Sequence, residues 1–415
     1  MKILHTADWH IGQIFHGYDR MREHAHFFAW LLSQLKEKNI DVMLVAGDIF
    51  DVSNPSGEAQ RMYYNFLVEL HRDLPDLQVI IIAGNHDSAA KLEAPKELLQ
   101  AFHVHVIGKV RHLNEHEMNL DDLIIPLHSS DGAGVVCLAL PYVRQGDYPL
   151  GLSYEEGIKE LYKQLALRAK TLYPSADNLV AMGHLYASGA EIAENDHSER
   201  ISVGGLDCVD FSDYTSEISY LALGHIHRAQ KVAHNDRIRY AGSPLPMSFT
   251  ELNYKHGVEL ITLEDGETTI EKLSYEPLVK LMAVPEKYKP LDEVLAAIAH
   301  LPDAEQETPE DGNNNITPFV EVRVLTEGPQ LDLAEQVRVA LEGKKVRLCS
   351  IKRSELGKEI SQFQPDITLD DLRDPKRLAI EYWKKTHADN EMPDELLTLF
   401  LEVSQKVINE GGSAQ

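Results

Sequence analysis

The sequence predicts an α/β protein with a small α+β domain attached and two helices at its C-terminal end. Three observations lead there. Apolar runs of strand length alternate with helical patterns through the first half of the chain. Those apolar runs stop abruptly at a small residue and then present an acid, an amide or an imidazole. Near residue 276 the texture shifts to a compact β-α-β-α-β pattern, followed by a polar linker.

Lys2 to Ala7 reads as a first strand, followed by Asp8-Trp9-His10. Phe27 to Leu35 is helical, with Phe27, Trp30, Leu31 and Leu35 on one face. Ile40 to Ala46 is a buried strand, ended by Gly47-Asp48-Ile49-Phe50-Asp51. In Glu58 to Arg72, Met62, Phe66 and Leu70 recur at helical spacing. Leu77 to Ala83 is an apolar, β-branched strand, and Gly84-Asn85-His86-Asp87 ends it. A helix is expected over Lys91 to Phe102. Beyond it, Leu123 to Leu127 and Val135 to Leu140 read as short antiparallel strands. Tyr154 to Thr171 is helical. Asn178 to Met182 is a strand ended by Gly183-His184, and Ile218 to Leu223 is one ended by Gly224-His225-Ile226-His227. Val232, Ile238 to Tyr240 and Val258 to Thr262 suggest antiparallel strands completing a second sheet.

The division expected is 1–275 for the main domain, 276–353 for the small domain, 354–374 for a linker and 375–411 for a helical tail. In the small domain the strands are Leu278 to Ala283, Phe319 to Leu325 and Val346 to Ile351. Its helices are Leu291 to His300 and Leu331 to Leu341, and acidic Pro302 to Asn315 is a solvated loop. In the tail, Pro opens each helix, at Pro375 and Pro393. Leu396, Leu399, Phe400, Val403 and Val407 form a stripe that Leu397, Leu401 and Ile408 widen. The preceding helix adds Leu378, Tyr382 and Trp383. Two short helices cannot bury faces this wide by themselves, which points to a partner or to packing on the small domain.

Composition bounds the function. The chain has 415 residues, enough for a large core and more than one domain. Cys137, Cys208 and Cys349 are odd in number and far apart, which argues against a disulfide framework and a structural zinc site. No signal peptide or bilayer-spanning run is read, so a cytoplasmic location is expected. The net charge of −26 is the wrong sign for tight binding of long DNA by this chain alone. It fits an acidic enzyme of small molecules, or one whose DNA is held by local basic patches, metal ions and a partner.

The strand-end groups are Asp8, His10, Asp48, Asn85, His86, His184, His225 and His227. In open α/β sheets, ligands bind beyond the carboxyl ends of the strands, so these groups would converge. Mixed oxygen and nitrogen ligands suit manganese, iron or zinc. There are more groups than one tetrahedral ion needs, and two metals sharing a carboxylate are the economical reading. The other histidines lack this setting. His5 is inside a strand, His24, His26 and His71 lie on helices, and His103, His105, His112, His116 and His128 follow no such strand end. All are read as core or surface residues.

Asp8-x-His10, Gly47-Asp48-x-x-Asp51, Gly84-Asn85-His86-Asp87, Gly183-His184 and Gly224-His225-x-His227 resemble the motifs of the calcineurin-like metallophosphoesterase superfamily. The stretches MKILHTADWHIGQ, LVAGDIFD, IIAGNHDS, YLALGHIHRAQ and YAGSPLPMSF are similar, more narrowly, to its bacterial DNA-nuclease subunits. The resemblance covers nearly the whole chain and is strongest up to about Leu263. It implies a two-sheet αββα sandwich with a capping domain, and two divalent metal ions, manganese foremost. One ion would take Asp8, His10, Asp48 and His227, and the other Asp48, Asn85, His184 and His225, with Asp48 bridging. His86 would be the catalytic imidazole, as general acid or transition-state stabiliser. Asp87 would orient His86 or a ligand imidazole, or stabilise the turn. Archaeal and eukaryotic relatives often carry His in place of Asp51. Asp51 resembles the bacterial branch and is given a supporting role beside the ligands.

The resemblance further implies hydrolysis of DNA phosphodiesters, by double-strand 3′–5′ exonuclease and single-strand or hairpin endonuclease action, for repair, recombination and replication. The partners implied are an SMC-type ABC ATPase, docked on the C-terminal helices, and double-stranded DNA ends and hairpins. A homodimer through Glu58 to Arg72 and Lys91 to Phe102 is also implied. Lys344, Lys345, Arg347, Lys352 and Arg353 are candidate phosphate contacts, or equally a solvated strand edge. The competing readings are a small-molecule phosphodiesterase or phosphatase, and a mainly structural tether at DNA ends. The intact ligand set speaks against the tether, and the appended domains against a small substrate.

Overall fold

Alternation of side chains along the buried strands sorts them into two cores. Ile3, Val42, Leu44, Ile80 and Ile82 face one core, while Leu4, Met43, Val45, Val79 and Ile81 face the other. Strands apolar on both faces must be covered on both. The computed structural model describes residues 1–114, 117–128, 134–192, 208–212, 218–264, 266–304, 316–326, 332–355, 367–368, 383, 393, 396–398 and 400.

The first half contains β1 (Lys2–Thr6), α1 (Met21–Lys38), β2 (Val42–Ala46), α2 (Gly57–Asp73), β3 (Gln78–Ile82), α3 (Ala89–Glu93), α4 (Lys96–Gln100) and β4 (Val104–Ile107). Next come β5 (Ile124–Leu127), β6 (Val135–Ala139), α5 (Tyr154–Leu172), β7 (Asn178–His184) and β8 (Tyr220–Gly224). β9 (Gln230–Val232), β10 (Asn235–Tyr240), β11 (Gly257–Glu264) and β12 (Glu267–Ser274) follow. One sheet has the order β12-β11-β1-β2-β3-β4 and the other β9-β10-β8-β7-β6-β5. Their facing sides share one core. Phe27, Phe28 and Leu31 of α1 and Tyr63 and Phe66 of α2 cover the outer face of the first sheet. Ile158, Leu161 and Leu165 of α5 pack on the second. This is the αββα sandwich.

Three expectations are corrected. The strands after residue 230 do not all complete the second sheet. β10 joins β8 in parallel, whereas β11 crosses to pair antiparallel with β1. β11 is apolar on both faces, as a strand in either sheet must be: Val258 and Leu260 face the helix side while Ile261 and Leu263 face the shared core. The helix expected over Lys91 to Phe102 is broken into α3 and α4 at Pro95, which has no N–H to continue the ladder. The first helix begins at Met21, earlier than its apolar pattern suggests.

The small unit is β13 (Leu281–Lys289), α6 (Leu291–Ala299), β14 (Phe319–Thr326), α7 (Leu333–Leu341) and β15 (Arg347–Glu355). All three strands are parallel, with β14 central. Val294, Ile298, Leu333 and Val337 of the helices pack on Val320, Val322 and Val324. The other face holds Phe319, which meets Phe15 and Phe249 of the sandwich. Phe15 belongs to a hairpin of Ile14–Phe15 with Tyr18–Asp19, just beyond His10. Tyr18 donates to the Leu348 carbonyl at 3.4 Å. The Arg347 guanidinium lies 5.5 Å from the centre of the Tyr18 ring.

The basic stretch is partly committed elsewhere. Lys344 donates to the carbonyls of Ala299 and Leu301 at the end of α6 and pairs with Asp303. It is a helix cap, and Arg347 is an interdomain contact. Lys352 and Arg353 are exposed. In the expected linker, Ile367–Thr368 pairs antiparallel with Glu191–Ile192. In the tail, residues 396–398 are helical, and Leu396 and Phe400 are exposed. The expectations for Leu378, Tyr382, Leu399, Leu401, Val403, Val407 and Ile408 lie outside the described residues. No helix among the described residues is long and apolar enough to cross a membrane.

Candidate metal centre

The strand ends β1, β2, β3, β7 and β8 meet along one edge of the sandwich. Backbone bonds lock the turns together. The Asp8 amide donates to Gly47 O, and the His10 amide to Asp48 O, each at 3.0 Å. Asp8, His10, Asp48 and His225 all have positive φ, at 52°, 47°, 50° and 100°. Non-glycine residues in this region mark local strain, which clusters at functional sites. The turns are also tight. A Cβ on Gly84 would collide with Asp48, and one on Gly224 with the Ala46 carbonyl.

Asp8, His10, Asp48, His184, His225 and His227 are buried, while Asn85 and His86 are half-buried at the mouth. Ligand-capable atoms of Asp8, His10 and His227 lie within 4.8 Å of one another, as do those of Asp48, His184 and His225. His10, Asp51 and His86 form a third such group.

The protons on the rings can be assigned from their partners. His184 Nδ1 donates to the Ala46 carbonyl at 2.8 Å. Its Nε2 then carries a lone pair, yet lies 2.9 Å from Asn85 Oδ1 and 3.2 Å from Asp48 Oδ2. His227 Nδ1 faces Glu251 Oε1 at 3.1 Å, and His10 Nδ1 faces Asp51 Oδ1 at 3.4 Å. With its proton on Nδ1, His227 turns its Nε2 lone pair toward His10 Nε2, 3.2 Å away. Asp8 Oδ1 accepts from the His225 amide at 2.9 Å. Asp8 Oδ2 is buried and has no hydrogen-bond partner among the described residues. Acceptors this close and this dry repel unless a cation lies among them. The residues fit divalent metal ions.

Without metal, protons take that place. Burial raises the Asp8 carboxyl to about 6, opposed by the neighbouring imidazoles. Burial alone would lower the His184 imidazole, but Asp48 and Asp8 reverse this and hold it up at about 9.

His86 sits beside the cluster. Its Nδ1 donates to the Asp51 carbonyl at 2.8 Å, and its ring stands edge-on to His10 with 4.9 Å between centres. Asp51 thus touches both rings, one through its side chain and one through its backbone. Of the two roles expected of Asp87, its partners match the turn-stabilising one. Among the described residues its carboxylate meets no imidazole, and it accepts from the amides of Ile49 (3.1 Å), Phe50 (3.0 Å) and Gly84 (2.9 Å). It ties the turn after β3 to the turn after β2. Burial and the Asp48 charge raise the Asp87 carboxyl, and those amides counter the rise.

Sequence reading missed three groups. Glu251 is fully buried behind His227 but follows no strand, so no strand-end signal marks it. Tyr142 stands edge-on to His184, 6.2 Å between ring centres, with Arg144 over its own ring. These two follow β6, and the strand-end rule would have found them. His24 is core, as expected. Its Nε2 also holds the Trp9 carbonyl at 2.8 Å, between Asp8 and His10.

Residues 1–229 match the family model described as calcineurin-like phosphoesterase. Residues 277–387 match the one described as type 5 capsule protein repressor C-terminal domain. The D component of the SbcCD nuclease of Rhodobacter capsulatus is 36% identical over 382 residues, covering 89% of this chain and 91% of that one. The Escherichia coli K12 protein of the same name is 29% identical over 401 residues, covering 92% and 93%. That of Bacillus subtilis is 32% identical over 315 residues, covering 71% and 76%.

Proposed function

The chain belongs to the calcineurin-like phosphoesterase family, and from that premise we propose that it is the metal-dependent nuclease subunit of an SbcCD-type complex. It hydrolyses DNA phosphodiester bonds at duplex ends and hairpins. The observation that carries the reading is the buried convergence of His184 Nε2 on Asn85 Oδ1 at 2.9 Å and Asp48 Oδ2 at 3.2 Å, an arrangement that a divalent ion fits.

Asp8, His10, Asp48 and His227 would hold one ion. Asp48, Asn85, His184 and His225 would hold the other, with Asp48 shared. Two divalent ions, manganese being well suited to this donor set, would supply a nucleophilic water at neutral pH and neutralise phosphate charge. His86 is the proton donor to the leaving oxygen. The Asp51 carbonyl fixes its Nδ1–H, which leaves Nε2 to carry the transferable proton. Its half-buried place at the mouth lets substrate reach it. Asp51 also steadies His10, and Asp87 steadies the turns that carry Asp48 and His86.

The net charge of −26 disfavours tight binding of long DNA by this chain alone and is in keeping with a DNA-binding partner. That partner is an SbcC-like ATPase, docked on the helices of residues 375–411. A homodimer through α2 and the α3–α4 segment completes the assembly. The test is a nuclease assay on end-labelled linear and hairpin duplexes in manganese, with and without the ATPase. Both substrates should be degraded, and more strongly with the ATPase. Activity confined to a nitrophenyl phosphate ester would contradict a DNA substrate. Deleting 375–415 should abolish co-purification with the ATPase and spare hydrolysis of a small phosphodiester.

A further inference from the structure

The two halves of the centre are backed differently. Behind His184 stands a neutral backbone carbonyl, that of Ala46. Behind His227 stands Glu251, fully buried, with Oε1 3.1 Å from Nδ1. The other oxygen of the same carboxylate is already used. Glu251 Oε2 accepts from the Met247 amide at 2.9 Å, within its own loop. That loop is anchored in turn: the Ser243 amide donates to the His227 carbonyl at 3.0 Å, and Arg20 donates to the Pro246 carbonyl. The carboxylate therefore cannot swing, and both of its oxygens face donors.

We propose that Glu251 is a positioning residue that makes the Asp8/His10/His227 half the tighter of two metal half-sites. The inference rests on the two-metal reading above. Glu251 fixes His227 with its proton on Nδ1, so that Nε2 always presents a lone pair. Its charge also makes that imidazole a stronger donor. This half then combines two carboxylates, Asp8 and shared Asp48, with a third behind an imidazole. The other half has shared Asp48, a neutral amide from Asn85 and a neutral backing group. Ligand charge favours the first half for a divalent cation, and a carboxylate behind a ligating histidine typically changes metal affinity by about 10–100-fold.

The telling substitution is Glu251→Gln, which keeps size and shape. A glutamine has one acceptor oxygen where two donors must be met. If it serves Met247, its NH2 faces His227 and drives the proton onto Nε2, where it blocks ligation. If it serves His227, the loop loses its anchor.

The experiment is calorimetric titration of Mn²⁺ into the metal-free full-length chain, with thermal melts of the metal-free proteins alongside. The wild type should show two binding events separated by about 10-fold or more. Glu251→Gln, with its oxygen kept on the Met247 amide, should melt like the wild type but weaken the tight event by about 10–100-fold, leaving the weak one in place. Asn85→Ala should weaken only the weak event. Wild-type affinities in Glu251→Gln, or equal weakening of both events, would overturn the proposal. Should Glu251→Gln fail to fold, Asn85→Ala still decides, because loss of the tight event there overturns the assignment of halves. A wild-type chain that binds no Mn²⁺ would instead overturn the two-metal reading beneath it.

Discussion

β2 of the sandwich and β14 of the small unit are both central, parallel and buried, and both carry an acid that water does not reach. Their acids are treated oppositely. Glu321 on β14 is met by Arg323 Nε and by the Ser350 hydroxyl, each at 3.0 Å. Asp48, after β2, accepts from the His86 amide at 2.9 Å through one oxygen, while its other oxygen faces His184 Nε2 at 3.2 Å, on a backbone of positive φ. Among the described residues of the small unit, only Gly343 adopts positive φ. Folding a parallel sheet therefore does not demand strained turns or facing acceptors. Where they collect, at the strand ends of the sandwich, something other than stability selected them.

The sharpest way to break this comparison is at Asp48. Asp48→Ala should strip manganese from the protein and drop turnover to the uncatalysed level. His86→Ala should lower turnover by about 10²–10⁴-fold with metal content unchanged. Elemental analysis beside a nuclease assay checks both, and equal metal loss in the two variants would refute the division of roles.

Asp87 comes next. Asp87→Ala leaves the amides of Ile49, Phe50 and Gly84 without their acceptor, so the loss of stability should be about 3 kcal/mol in urea unfolding. Ser350→Ala, beside Glu321, should cost about 1 kcal/mol or less.

The pH dependence of metal-free protein tests the electrostatics. Asp8 and His184 both bind protons more tightly folded than unfolded. Stability should therefore fall as pH rises, first between about 4 and 6 for Asp8 and then between 6.5 and about 9 for His184. The His184 window should carry on the order of 3 kcal/mol. Saturating manganese should flatten both windows in denaturant titrations.

The smallest effect belongs to the small unit. Lys344→Ala removes a helix cap, so a loss of about 0.5–1 kcal/mol is expected, with manganese binding unchanged.

Much of the site was legible because it obeys one local rule. A buried strand that stops at a small residue and presents a ligand can be read from a few consecutive letters, as at Gly84-Asn85-His86. The rest was not, because it depends on partners far away in the chain. β11 carries the apolar pattern of any buried strand, and nothing in that pattern names β1 as its neighbour. Asp87 shares the motif with His86, yet its carboxylate turns to amides of the preceding loop. Glu251 lies 24 residues beyond the imidazole it faces, in a turn with no periodic signal. Residue type revealed which groups could bind metal, while the direction of each side chain was set by tertiary contacts.

The central claim is that these side chains surround a pair of cations sharing Asp48. Anomalous diffraction from crystals soaked in manganese tests it directly. Two peaks should appear about 3.5–4 Å apart, one beside Asp8, His10 and His227 and one beside Asn85, His184 and His225, both touching Asp48. No peak at these strand ends, or one that Asp48 does not touch, would contradict the account.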